Sequence, residues 1–184
     1  MAAPLKRLLL SDIFVRVCEG MVDVFLVLYV INVVGLSASR FGVLIAVQMS
    51  TSILVYIPAA QRADSLGRKP LVAATFLAFA VFPLAVVFAH SFSALVIAFI
   101  VGGLREIGEP ARKALIVDLA APHARARTVG LYYLMRSAAI SPAAFVGSLL
   151  WQKAVVVPFI VAAAFGVIGL IIFVATVADE RSAT

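Results

Sequence analysis

Six apolar stretches, each long enough to cross a bilayer, constrain this chain more than any other feature. They fall near residues 13–34, 41–60, 71–89, 92–117, 128–150 and 155–177, with short polar breaks between them. A helix needs about 20 mostly apolar residues to cross the hydrocarbon core. No break is long enough to hold a soluble core, so the pattern predicts that residues 1–184 form a single all-α integral membrane domain of six transmembrane helices.

The composition supports this class. Hydrophobic residues make up 64% of the chain and charged residues 13%, which is outside the usual range of soluble domains. Cys18 is the only cysteine, which excludes a disulfide scaffold. The basic opening MAAPLKR leads into an apolar run that continues to Val34 without a convincing cleavage site, so we expect a retained first span rather than a signal peptide.

The distribution of Lys and Arg predicts the orientation, because basic residues stay preferentially in cytoplasmic loops. One side of the predicted bundle carries Lys6, Arg7, Arg62, Arg68, Lys69, Arg112, Lys113, Arg125, Arg127 and Arg181, and the other carries Arg40 and Lys153. Both termini are therefore expected in the cytoplasm. The net charge of +6 is explained by this bias and by attraction to anionic headgroups, not by a nucleic-acid partner.

A dense charged turn, PAAQRADSLGRKPL at Pro58–Leu71, separates the second and third apolar stretches. Asp64 and Ser65 favour turn geometry, Gly67 can adopt a positive φ, and Pro70 suits the first turn of the next helix. Together with the basic residues around them, they predict a tight cytoplasmic connection between two spans.

This turn resembles the loop after the second helix in each half of a major facilitator superfamily transporter, whose pattern is G-x-L-A-D-x-x-G-R-K. The matching residues are Ala63, Asp64, Gly67, Arg68 and Lys69, while Ala60 stands at the first Gly and Arg62 at the Leu. The resemblance implies that the turn, and Asp64 and Arg68 in particular, helps to close a cytoplasmic gate.

The resemblance also implies the architecture and the function. Whole members of the family have two six-helix halves, each built from two inverted three-helix units. The present chain is similar to one such half. Its opening, PLKRLLLSDIFVRVCEG, resembles the lead-in to a seventh helix and indicates the carboxy-terminal half. Such a half is expected to move a small solute by alternating access in the bacterial inner membrane, together with the other half or a homodimer mate.

Charges inside predicted spans point to the solute or proton path, because each costs a few kcal/mol at bilayer depth unless it faces protein or water. They are Arg16, Glu19, Asp23, Arg105, Glu106, Glu109 and Arg136. In the first span Arg16, Glu19 and Asp23 share one helical face. An Arg16–Glu19 ion pair that only holds helices together and a role in the path are equally compatible with this spacing.

In the fourth span, Glu109 has Arg105 four residues before it and Lys113 four residues after it, which predicts ion pairs along the helix. Pro110 there and Pro142 in the fifth span predict helix kinks. Pro142 is also the one firm match to the fifth-helix motif of the drug/proton antiporter branch, so antiport is an expectation from resemblance only.

Asp23 is the deepest acid and the best candidate for a group that gains and loses a proton, since leaving water favours the neutral carboxyl. A permanent bridge from Asp23 to Arg136 of the fifth span is the competing interpretation, and a direct contact with the solute is a third.

Other classes of protein are disfavoured. The chain lacks a G-x-S-x-G-like serine with a membrane histidine, an H-E-x-x-H motif and the acidic array of lipid phosphotransferases. The sequence therefore predicts neither an enzyme nor a metal or cofactor site. The alternative to a transporter half is a non-transporting membrane subunit, or a truncated fragment that works only after assembling with another half.

Overall fold

The computed structural model describes residues 2–177, apart from the side chains of residues 62–66, and every element in that part of the chain is helical. The α-helices are α1 (Ala3–Leu28), α2 (Ala38–Leu66), α3 (Arg68–Phe88), α4 (Phe92–Gly103), α5 (Glu109–Asp118), α6 (Arg125–Ile140), α7 (Ala143–Lys153) and α8 (Val157–Thr176). A π-helical turn, Tyr29–Val33, extends α1, and 3-10 turns occur at Leu104–Glu106 and Pro122–Ala124.

Helices α1, α3 and α8 form the centre of the bundle. Two glycines of α8 let it pack closely against both neighbours: a Cβ on Gly169 would lie 2.9 Å from the carbonyl oxygen of Ser11, and one on Gly166 would lie 2.8 Å from Cα of Ala80. Small residues are the usual means of bringing membrane helices together, since lipid supplies no hydrophobic force between them. Helices α4 and α5 pack on the other side of α3, α2 packs on α4, and α6 and α7 pack on α1.

Four helical segments in the described part of the chain are long and apolar enough to cross a membrane: Ala38–Gln61, Arg68–Phe88, Pro122–Lys153 and Val157–Thr176. They correspond to the predicted second, third, fifth and sixth spans. The other two predicted spans are not among these four segments. The predicted first span is less apolar, because it carries Arg16, Glu19 and Asp23, and the predicted fourth span is interrupted by a 3-10 turn. The all-helical membrane class is thus supported, and the count of six spans stays a prediction.

The connection between α2 and α3 is shorter than predicted. The α2 backbone remains helical through Asp64 and Ser65 to Leu66, so the prediction of turn geometry at those two residues was wrong. Gly67 alone separates the helices, with φ 88° and ψ 146°, and Pro70 lies in the first turn of α3. A single glycine suffices because it reverses the chain in a conformation that other residues rarely adopt.

The predicted fourth and fifth spans are each divided. After α4, residues Leu104–Glu106 tighten into a 3-10 turn, and α5 begins at Glu109 with Pro110 in its first turn, where a missing amide does no harm. Between α6 and α7 the interruption falls at Ser141 and Pro142. The α-helix is thus interrupted beside both prolines, Pro110 and Pro142.

Candidate functional site

A cleft of about 580 Å³ opens between α1, α2 and the 3-10 turn after α4. Its lining combines ionisable, polar and apolar side chains: Glu19, Asp23, Gln48, Met49, Ser52, Ile53, Tyr56, Ile57, Gly102, Arg105 and Glu106. It therefore brings together four residues that the sequence proposes for the path, namely Glu19, Asp23, Arg105 and Glu106. In size and mixed polarity it is suited to a small organic solute.

Arg105 spans the floor of this cleft. Its guanidinium lies 3.3 Å from Oδ1 of Asp23 and 4.0 Å from Oε1 of Glu19, while Nε donates to the carbonyl oxygen of Gly102 at 3.0 Å. The rings of Phe79 and Phe82 lie 5.0 and 4.6 Å from its Cζ atom, within range of cation–π attraction. These contacts hold the arginine between Asp23 of α1 and the two rings of α3.

The predicted Arg105–Glu109 pair along one helix was therefore wrong. An i, i+4 pair needs a continuous α-helix, whereas the 3-10 turn at Leu104–Glu106 rotates Arg105 toward α1. Glu109 instead pairs with Arg112 and with Arg16 of α1. Lys113 places its ammonium 6.0 Å from the ring centroid of Tyr56.

A second polar cluster is buried beneath the cleft, between α1, α5 and α6. At its centre Asp12 is fully buried, and its Oδ2 accepts hydrogen bonds from Arg112 at 2.7 Å and from the hydroxyl of Tyr132 at 2.9 Å. Arg112, with only 2% of its surface exposed, also donates to both carboxylate oxygens of Glu109, at 3.0 and 2.7 Å. Buried charges of opposite sign are paired here, as they must be away from water, although Oδ1 of Asp12 accepts no hydrogen bond from the described residues.

Arg16 joins the cleft to the buried cluster. Its guanidinium donates to Glu19 at 2.8 Å and to Glu109, and its Nε lies 3.8 Å from Oδ1 of Asp12. The Arg16–Glu19 pair expected from the sequence is therefore present, but as one link in a longer series. Acids and arginines alternate without a gap from Asp23 in the open cleft to Asp12 in the core.

Arg136 lies at the far end of the same series. Its guanidinium is 3.5 Å from Oδ2 of Asp12 and 4.7 Å from the ring centroid of Tyr133. The competing interpretation, a permanent bridge from Asp23 to Arg136, was wrong, since Asp23 faces Arg105 and Arg136 faces Asp12. The reason is depth: α1 and α6 run parallel, so Arg136 meets α1 several turns nearer its start than Asp23.

Three members of the buried cluster were missed among the candidate site residues: Asp12, Arg112 and Tyr132. The sequence places Asp12 before the first predicted span and Arg112 among the cytoplasmic cations, yet both are buried. One signal was available, because Asp12 and Arg16 stand four residues apart, as do Tyr132 and Arg136. Each pair lies on a single helical face, and the two faces meet.

The charged turn forms a separate contact at the end of the bundle. Arg68, at the start of α3, donates to Asp118 at the end of α5, and so ties the turn to the predicted fourth span. Lys69 is half-buried beside it. The side chain of Asp64 lies outside the described residues, and so does Arg181.

The chain matches the model of the Major Facilitator Superfamily over residues 8–184. It belongs to this family. The match confirms the resemblance seen in the charged turn, and the family is one of membrane transporters rather than enzymes.

Curated relatives include the Quinolone resistance protein NorA of Staphylococcus aureus, from strains COL and MW2 among others. These proteins are 24% identical to the chain over 151 residues, an alignment that covers 82% of the chain and 39% of the relative. The chain thus spans well under half the length of the curated relatives it matches.

Proposed function

We propose that this chain forms one wall of a secondary active transporter that moves a small solute by alternating access, in a bacterial plasma membrane. The observation that carries this proposal is the charged cleft beside α1. Asp23 keeps 46% of its side chain exposed there while paired with Arg105 across the cleft floor. Within a membrane, ionisable groups that face an open cleft are typical of solute and ion paths.

A second wall is needed to enclose the solute. Along α2 the apolar side chains Met49, Ile53, Leu54 and Ile57 are all more than half exposed, three of them on the cleft itself. In this family the opposite wall is a second six-helix unit related to the first. We propose that such a unit faces α2 here, whether it belongs to the same polypeptide, to a different one or to a second copy of this chain.

The charged series suggests how opening could be coupled to ions. Protonation of Asp23 would weaken its attraction to Arg105, and Arg105 also lies near Glu19, which shares Arg16 with Glu109. Loss of the charge on Asp23 would therefore change the balance of ion pairs from Arg105 through Glu19 and Arg16 to Glu109 of α5. We propose that Asp23 is the group through which the proton gradient acts.

The solute class is proposed from the relatives alone. NorA is named as a quinolone resistance protein, so quinolones are the first compounds to test, with efflux as the direction. The mixed lining of the cleft, with carboxylates beside Met49, Ile53 and Tyr56, is compatible with an amphiphilic cation or zwitterion.

Transport of a quinolone into proteoliposomes, measured with and without a second six-helix unit, tests the proposal. The chain alone, kept monomeric, is expected to show no saturable transport, and assembly with the second unit is expected to produce it. Saturable uptake by the monomer would overturn the need for a second wall. An assembled complex that folds but transports no solute would favour the non-transporting subunit instead.

A pair of tryptophan variants tests the cleft. Met49→Trp adds bulk inside it, whereas Leu77→Trp adds similar bulk to an equally exposed apolar position on α3, away from the cleft. We expect Met49→Trp to reduce the transport rate at least tenfold and Leu77→Trp to leave it within about twofold. Equal effects of the two substitutions would mean that the cleft is not the solute path.

We also propose that the charged turn, with Asp64, Gly67, Arg68 and Lys69, closes the cytoplasmic gate. If so, Asp64→Asn should increase the labelling of cysteines introduced into the cleft lining from the cytoplasmic side and decrease it from the opposite side. Unchanged labelling from both sides would leave the turn with a structural role only.

A further inference from the structure

A groove of about 500 Å³ runs between α1 and α6, and it shares no residue with the cleft. Its walls are the apolar side chains Leu9, Leu10, Ile13, Leu131 and Met135. Three of them remain close to half exposed: Leu10 at 49%, Leu131 at 44% and Met135 at 46%. With 3.6 residues per turn, Leu10 and Ile13 lie on a different face of α1 from Asp12 and Asp23.

One end of the groove is cationic. Lys6 lines it from α1, one turn before Leu10 and two turns before Ile13. On α6, Arg127 is exposed and stands one turn before Leu131 and two before Met135. Both helices thus present a basic residue followed by apolar residues along the same face.

The two basic residues lie at the same end because α1 and α6–α7 run parallel. Tyr132 contacts Asp12, and further along, a Cβ on Gly20 would lie 3.1 Å from Cβ of Ala143. The two residues in contact are separated by a similar number of residues in both pairs, so the helices stay in register. The same separation counted from Lys6 leads to the first turn of α6. The distribution of basic residues assigns this end to the cytoplasmic leaflet, where anionic lipids are enriched.

We infer that the groove binds one anionic phospholipid, with its phosphate between Lys6 and Arg127 and an acyl chain along the apolar walls. A generic apolar surface would select no headgroup. Two cations at one end of an apolar channel select a negatively charged headgroup at the depth where headgroups lie. The site would fasten α6 to α1 on the side of α1 away from the solute cleft, and it does not depend on whether the chain transports.

Lipid titration of the purified chain, followed by native mass spectrometry, tests this inference. The probes are phosphatidylglycerol and phosphatidylcholine with identical acyl chains. We expect preferential binding of one phosphatidylglycerol, and a loss of about fivefold in its affinity for each of Lys6→Gln and Arg127→Gln. Arg125→Gln is the matched control, since it removes the same charge from the same turn of α6 but from a residue that does not align with the groove.

Leu131→Trp offers a second variant that changes no charge. Its larger side chain fills the groove, so binding of phosphatidylglycerol should fall although both cations remain. Equal binding of the two lipids, or an equal loss in Arg125→Gln and Arg127→Gln, would overturn the inference in favour of generic surface attraction. A groove closed by a second copy of the chain, seen as a stable dimer that excludes lipid, would overturn it as well.

Discussion

Arg112 of α5 donates a hydrogen bond of 2.7 Å to Asp12 of α1, and both side chains are buried, one with 2% and the other with 0% of its surface exposed. This contact joins the first half of α1 to the first turn of α5. Tyr132 adds α6 to the same carboxylate. Three segments distant in sequence are therefore held together by one acidic side chain.

Replacing Asp12 by asparagine is expected to destabilise the protein strongly. The substitution keeps the size of the side chain but leaves Arg112 with Glu109 as its only carboxylate among the described residues and removes the carboxylate that faces Arg136. Breaking a buried ion pair costs about 3–5 kcal/mol. Asp118→Asn is the control, because the Arg68–Asp118 pair is partly exposed and should contribute only about 0–1 kcal/mol. Unfolding in mixed micelles measures both, and similar losses would contradict a central role for Asp12.

Gly108→Ala is expected to disturb the packing of α5 against α3. An added Cβ would lie 2.2 Å from the carbonyl oxygen of Leu71, a backbone atom that cannot rotate away. Overpacking of this kind costs about 1–3 kcal/mol or more. Gly42→Ala in α2 meets no atom within 4 Å and should be neutral or slightly stabilising. A thermal unfolding series of the two variants should separate them clearly, and a stable Gly108→Ala protein would show that the helices can move apart.

Gly67→Ala tests the one-residue connection between α2 and α3. At φ 88° and ψ 146° an L side chain is strained, which corresponds to about 1–3 kcal/mol of lost stability. Gly130→Ala in α6 is the matched control, since that glycine has helical geometry and open space around it. Limited proteolysis at the turn and thermal unfolding should both report the difference. Equal stability of the two variants would mean that the turn can change conformation freely.

Asp23→Asn is expected to remove most of the pH dependence of transport in an assembly with both walls. A rate controlled by one protonation changes by up to about tenfold per pH unit, and asparagine cannot take up that proton. The Asp23 side chain is 46% exposed, and Arg105 keeps Glu19 and the rings of Phe79 and Phe82 as neighbours, so the protein should still fold. In Asp118→Asn, which lies outside the cleft, the pH profile should persist. An unchanged profile in Asp23→Asn would eliminate Asp23 as the coupling group.

Hydropathy and turn chemistry were enough to predict much of the fold. The predicted spans 71–89 and 155–177 correspond to α3 (Arg68–Phe88) and α8 (Val157–Thr176) within a few residues. The positive φ at Gly67 was also predicted, because few other residues adopt it. These features are local: the hydrocarbon thickness sets the length of a span, and a single residue sets the conformation of the turn.

Most of the membrane charges were likewise identified from the sequence, since an ionisable residue in an apolar stretch stands out by composition alone. Of their partners, only the Arg16–Glu19 pair was predicted correctly. The spacing rule paired Arg105 with Glu109 on the assumption of an unbroken helix, and the position of Asp23 and Arg136 near the middle of their spans suggested a bridge between them as the competing interpretation. Asp12 was not included among the candidate residues because it precedes the first apolar stretch. The helix in fact begins at Ala3, so Asp12 lies within α1 and is buried there.

The sequence by itself thus determined the membrane class, the family and most of the charged groups within the apolar stretches, because each depends on composition or on residues adjacent in the chain. Only the tertiary structure decided that Asp23 faces Arg105 and that Asp12 holds Arg112 and Tyr132 in the core. Those pairings depend on where the 3-10 turn rotates Arg105 and on the register in which α1 and α6 pack. Both are set by contacts between helices far apart in sequence, which no local pattern encodes.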